Sequence, residues 1–161
     1  MSRKHLGEVF ELLVRVLPVM HKKIHRDIFK AAIEQAGEDM APHHLMILKM
    51  LRENGPLSMS EIGEDIAISQ PQMSHSTDKL IELGMIERQT NAQDRRKINI
   101  RLTNKGKNYL IKLDPIMRNR MDSKISMLTE RDMERLATSL REISDIFTKL
   151  QWDAKTLARN E

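Results

Sequence analysis

Two helix-start signatures lie eleven residues apart, and they constrain the fold more than any other feature of the chain. Ser58-Met59-Ser60-Glu61 has the spacing of a capping box, in which a serine hydroxyl and a glutamate side chain each satisfy an orphan backbone amide. Ser69-Gln70-Pro71-Gln72 repeats the device, with proline inside the first turn. The spacing predicts a short helix to about Ile66, a tight turn, and a second helix carrying Met73, Leu80 and Leu83 until Gly84 closes it. Two short helices meeting at such a turn have the layout of a helix-turn-helix, whose second member lies in the major groove of duplex DNA.

After Gly84 the apolar period changes from helical to alternating. Ile86 precedes Arg88, and Ile98, Ile100 and Leu102 alternate with Asn99 and Arg101, which predicts two short strands. The polar stretch between them, Thr90 to Arg96, is turn-prone and makes the pair a hairpin with a basic tip. A hairpin that follows a helix-turn-helix is a wing. The window from Lys79 to Lys112 holds nine of the 27 Lys and Arg but only three of the 23 carboxylates, a surplus of six positive charges, so the remainder of the chain is slightly acidic. Such a stripe fits a surface that meets a polyanion, and on charge alone it fits a merely solvated face equally well.

Long helices flank this module. Upstream, Leu6, Val9, Leu13, Val16 and Met20 form an amphipathic stripe within a segment from about Lys4 to Ala36, where Pro18 should kink the helix or break it. Pro42 opens a further helix with Leu45, Leu48 and Leu51 on one face, ended by Asn54-Gly55-Pro56. Downstream, Thr103 caps a helix reaching about Met127 and interrupted by Pro115. From Thr129 a last helix places Met133, Leu136, Leu140, Ile143, Phe147 and Leu150 in a 3,4 rhythm, and the chain beyond Gln151 loses its period. One small winged module cannot cover two such flanks, so a second copy of the chain is expected to cover Leu6, Val9, Leu13, Leu136, Leu140, Ile143 and Phe147. The fold class is therefore mainly α with a small β-hairpin: a winged helix-turn-helix (37–103) flanked by N-terminal (1–36) and C-terminal (104–161) dimerisation helices, one compact unit per chain.

Several function classes are set aside. Five aromatics against twelve Met provide no stacking platform for single-stranded nucleic acid. With no Cys, disulfides, thiolate catalysis and a thiol-oxidation switch are excluded, and a reducing cytoplasmic setting fits. The apolar run Val9–Met20 is too short and too charged to span a membrane, and no signal peptide is evident. His21 and His25 share a helix face, and His43-His44 follow. No glutamate lies between the first pair and two lysines do, so no metal site is expected. Neither a phosphate-binding loop nor a nucleophile elbow occurs, so no cofactor and no enzyme activity are expected.

From Met40 to Gly106 the order of features resembles the winged helix-turn-helix of the multiple-antibiotic-resistance regulator (MarR) family. The resemblance rests on Leu83-Gly84-Met85-Ile86-Glu87-Arg88, on Asp94-Arg95-Arg96, and on Ile100 followed by Leu102-Thr103-Asn104-Lys105-Gly106. It implies a homodimeric regulator of double-stranded DNA, probing a pseudo-palindromic site and modulated by a small anionic or phenolic effector. By that pattern Ser69–Leu83 is the recognition helix, with Gln70, Gln72, Ser74, His75 and Lys79 facing the groove. Gln suits adenine, Ser a base edge or phosphate, and Lys a phosphate. In the wing, Arg96 would enter the minor groove, oriented by Asp94, while Arg95 and Lys97 touch phosphates. Two departures stand out: His75 where family members often carry Arg, and Ala41 where a Thr cap is usual, with Asp39 or no side chain expected to substitute. The alternative class is a winged module whose basic wing meets an acidic protein.

Overall fold

The computed structural model describes residues 3–90 and 98–149. The chain forms two compact units, Met1–Arg120 and Met121–Glu161. In the first, α1 (Arg3–Ile24) passes through a single π-helical stretch (His25–Lys30) into α2 (Ala31–Ala36). Then come α3 (Pro42–Asn54), β1 (Leu57–Ser58), α4 (Met59–Asp65), α5 (Gln70–Glu82), β2 (Ile86–Thr90), β3 (Ile98–Leu102) and α6 (Asn104–Ile125). The second unit contains the end of α6 and α7 (Glu130–Phe147).

The core of the first unit is built from one face of each element. Leu45, Leu48 and Leu51 of α3 are buried as their spacing predicts, together with Ile62 of α4, Met73 and Leu80 of α5, Ile86 and Ile100 of the sheet, and Leu110 and Leu113 of α6. Removing a side chain such as Leu48 from so closed a site leaves a cavity that neighbours fill only in part. The sheet is antiparallel in the order β1-β3-β2, with Ile86 opposite Leu102 and Arg88 opposite Ile100. Alternation puts Ile86, Ile100 and Leu102 inward and leaves Arg101 exposed, while Arg88, on the same face as Ile86, is exposed farther along β2. Glu87 lies directly across from Arg101 and pairs with it at 2.6 Å. The third strand, β1, is too short for any alternation to announce it; its two residues pair with Ile100 and Asn99 of β3.

The prolines do not break their helices. α1 and α6 both continue through Pro18 and Pro115 without a break, and the interruption of the first segment falls instead at the π-helical residues His25–Lys30. A helical proline frees the carbonyl four residues earlier. Here those residues, Val14 and Ile111, are 58% and 66% exposed, so water can take the freed group.

Glycine and side-chain ties fix how the first unit closes. Gly37 ends α2 at φ 78°, and Lys112 Nζ donates to the Ala36 carbonyl at 3.0 Å. Thr103 Oγ1 donates to the Gly84 carbonyl at 2.7 Å and accepts from Gly106 N–H at 3.1 Å, which joins the end of α5 to the start of α6. The Tyr109 hydroxyl is buried without a hydrogen-bond partner among the described residues, and burial, then Glu38, pushes its pKa up to about 12.

α7 begins where the sequence places it, with Thr129 Oγ1 accepting from Asp132 N–H at 3.2 Å. It ends at Phe147, and Leu150 lies outside the described residues. No residue of α7 is buried.

Candidate nucleic-acid interface

The site is assembled from two capped helices. Ser58 N–H donates to Glu61 Oε2 at 2.7 Å while Glu61 N–H donates to Ser58 Oγ at 3.3 Å, so both halves of the first capping box form. The turn that follows is tight. Ala67 takes φ 53°, a left-handed value that costs a non-glycine residue about 1 kcal/mol. Ile68 N–H closes back on the Gly63 carbonyl at 3.2 Å. α5 then starts at Ser69, whose hydroxyl accepts from Gln72 N–H, and stops at Gly84, which takes φ 69°.

Within α5 the buried residues are Met73, Ser76, Thr77 and Leu80, a spacing of three, one and three that defines the inner face. The two hydroxyls satisfy themselves on the preceding turn: Ser76 Oγ donates to the Gln72 carbonyl at 2.7 Å, Thr77 Oγ1 to the Met73 carbonyl at 2.9 Å. Anchored in this way, the helix presents Gln70, Gln72, Ser74 and His75 exposed, with Lys79 half-buried beside them. The five residues read as groove-facing from the sequence thus share the outer side of one helix. Asp94, Arg95, Arg96 and Lys97 lie outside the described residues, between the ends of β2 and β3.

An open cleft of about 710 Å³ runs along α5 and is lined by Gln72, His75, Lys79, Asp39, His43 and His44, among others. Two of its features escaped the sequence. Lys79 Nζ pairs with Asp39 Oδ2 at 3.2 Å, a partner forty residues away. The cap of α3 is the other. Neither Asp39 nor any other side chain caps Ala41 from the front; His44 Nδ1 accepts the Ala41 N–H from behind at 3.1 Å. That bond requires an unprotonated Nδ1. Burial, followed by the nearby His43 and Lys79 and partly countered by Asp39, brings the His44 pKa down to about 4, and burial also lowers that of His43.

A depressed histidine costs stability wherever the unfolded chain binds the extra proton. Stability should therefore fall as pH drops from 6.5, the ordinary value, toward 4. With allowance for solvent screening the loss attributable to His44 is about 1–2 kcal/mol. Urea melts across that range should show it, and His44→Gln, which keeps an acceptor but cannot titrate, should flatten the decline. An equally steep decline in the variant would assign the effect to other groups.

Among the described residues no cluster of three or more His, Asp or Glu could hold a metal ion, and no helix is long and apolar enough to cross a membrane.

The model of the MarR family matches residues 41–98, a span that takes in α3, the helix-turn-helix and β2 and ends at the first residue of β3. The HTH-type transcriptional repressor MdtR of Bacillus subtilis (strain 168) is 30% identical over 120 residues, covering 73% of this chain and 74% of that protein. The chain belongs to the MarR family. Solved structures agree in fold. The YusO protein of B. subtilis superposes with a TM-score of 0.62 at 26% identity, over 90% of this chain and 99% of that one. Wild-type E. coli MarR in its apo form gives 0.73 at 17% identity, over 81% and 96%. For a MarR-family chain the fold class is the one its sequence predicts: mainly helical, with a winged helix-turn-helix whose small sheet has three strands rather than two.

Proposed function

We propose that this MarR-family protein is a homodimeric transcriptional regulator, a repressor like MdtR, that binds duplex DNA sequence-specifically in the cytoplasm. The observation that carries this reading is the outer side of α5. Gln70, Gln72, Ser74 and His75 are exposed there beside the half-buried Lys79, with Pro71 an exposed apolar residue in the first turn, while Met73 and Leu80 hold the helix from beneath. Gln70 and Gln72 are suited to adenine edges, Ser74 and His75 to base edges or phosphates, and Lys79 to phosphate. The wing tip adds Arg96 to the minor groove, oriented by Asp94, with Arg95 and Lys97 on the backbone.

Residues 37–103 act as the reading module and the flanks 1–36 and 104–161 as the pairing apparatus. Two modules related by a twofold axis match a pseudo-palindrome whose half-sites lie about one helical turn, roughly 34 Å, apart. A small anionic or phenolic effector that alters the spacing between recognition helices would weaken binding by misaligning one half-site.

Binding to random-sequence duplex across a salt series tests the reading. Log affinity should fall steeply with log salt, and Arg96→Ala should reduce the slope by about one. Failure to bind any duplex at low salt would instead favour a basic wing that meets an acidic protein. Selection from a random duplex pool should return two inverted copies of one half-site.

A further inference from the structure

We propose that Asp39 is a built-in competitor of DNA phosphate: its carboxylate holds Lys79 in the free protein and must surrender it when the duplex arrives. This rests on the DNA-binding reading above. α5 carries a single Lys or Arg, Lys79, against Asp78 and Glu82, so by itself the helix is electrostatically poor at gripping a polyanion. Its acid Asp78 is engaged by Arg88 of β2 at 3.1 Å, and its one cation is engaged by Asp39 at 3.2 Å.

The carboxylate is not a passing neighbour. Asp39 sits in the short link between α2 and α3, and both ends of that link are fastened. Gly37 closes α2 in the left-handed conformation, Lys112 holds the Ala36 carbonyl at 3.0 Å, and His44 Nδ1 holds Ala41 N–H at 3.1 Å. Between these ties the Asp39 side chain projects with 97% exposure and pairs with Lys79. Gln72, His75 and Lys79 recur at helical spacing along the same cleft that Asp39 borders. A phosphate that reaches Lys79 therefore arrives within a few ångströms of the Asp39 carboxylate. It must replace one anion and tolerate its proximity, and fewer counterions are released than the count of cations suggests.

Asp39→Asn removes the charge and keeps the shape. Affinity for random-sequence duplex at low salt should rise about three- to tenfold, with a salt slope steeper by up to about 0.9, and the gain should fade as salt screens it. The thermal melt should be almost unchanged, because a single exposed ion pair contributes little to stability. A double-mutant cycle isolates the competition. In a Lys79→Gln background the gain from Asp39→Asn should shrink, since only simple repulsion is then relieved. Equal gains in both backgrounds would show that Asp39 acts by repulsion alone, and no gain or a loss would show that it aids binding; each overturns the proposal. If the unaltered protein binds no duplex at low salt, the DNA-binding reading itself falls, an outcome distinct from an unresponsive Asp39 in a protein that does bind.

Discussion

Gly106→Ala should destabilise the first unit by about 3 kcal/mol and lower its melting temperature by roughly 6–12 °C, large effects for a single methyl group. A Cβ at position 106 would fall inside the van der Waals radius of the Met85 carbonyl oxygen, with the Leu102 side chain 3.0 Å away. The obstacle is backbone, and it is tied down: Met85 N–H donates to the Leu80 carbonyl at 2.9 Å, and the Met85 carbonyl accepts from Thr103 N–H at 3.0 Å. Relief therefore requires α6 to move away from the strand entry that it closes. Alanine is the better helix former by about 1 kcal/mol, which offsets only part of the cost. Gly7→Ala in α1 provides the control, because nothing lies within 4 Å of its added methyl and only the helix preference should register. Similar melting temperatures for Gly106→Ala and the parent would show that α6 can shift without loss.

Leu140→Asp should convert the proposed dimer to monomers, seen by sedimentation, and weaken binding to a two-half-site duplex by on the order of a hundredfold or more as the bivalent advantage disappears. Along α7, Leu136, Leu140 and Ile143 are 40–48% exposed, and Phe147 is half-buried. An amphipathic helix that buries nothing within its own unit leaves a contiguous apolar stripe in water, the usual mark of a surface made for a partner. α1 has the same character: Leu6 and Val9 are 66% and 51% exposed, and Leu13 is half-buried. A carboxylate in the middle of the α7 stripe would be stranded among apolar side chains in the dimer but solvated in the monomer. An unchanged sedimentation coefficient would move the interface away from α7. Because no α7 side chain is buried within the unit, the substitution should leave the chain folded, and circular dichroism should confirm retained helix content.

Much of the reading module was legible because its signals are local. Ser58 with Glu61, Ser69 with Gln72, and Gly84 all act within one or two turns of backbone; the first pair forms the full capping box, the second only its serine half, and Gly84 takes the left-handed stop. The outer face of α5 was legible for the same reason, since Met73 and Leu80 fix which side turns inward. The Leu-Thr-x-x-Gly run could be matched to a family, but its cause is visible only in three dimensions: Thr103 bridges Gly84 and Gly106, and Gly106 makes room for Met85. Local reasoning left open whether Pro18 and Pro115 break their helices, and both helices continue through them.

What the sequence alone determined is the order of helices, the tight turn, the wing strands and the polar side of α5, because capping, glycine stops and apolar period are set by neighbours a few residues away. What only the tertiary structure decided is how distant groups meet: Asp39 on Lys79 across forty residues, Lys112 on Ala36 across 76, and His44 behind Ala41 in place of a forward cap. The physical reason is that a charge pair or a buried imidazole depends on which elements share a cleft. That is fixed by the packing of the whole core, not by any short run of the chain.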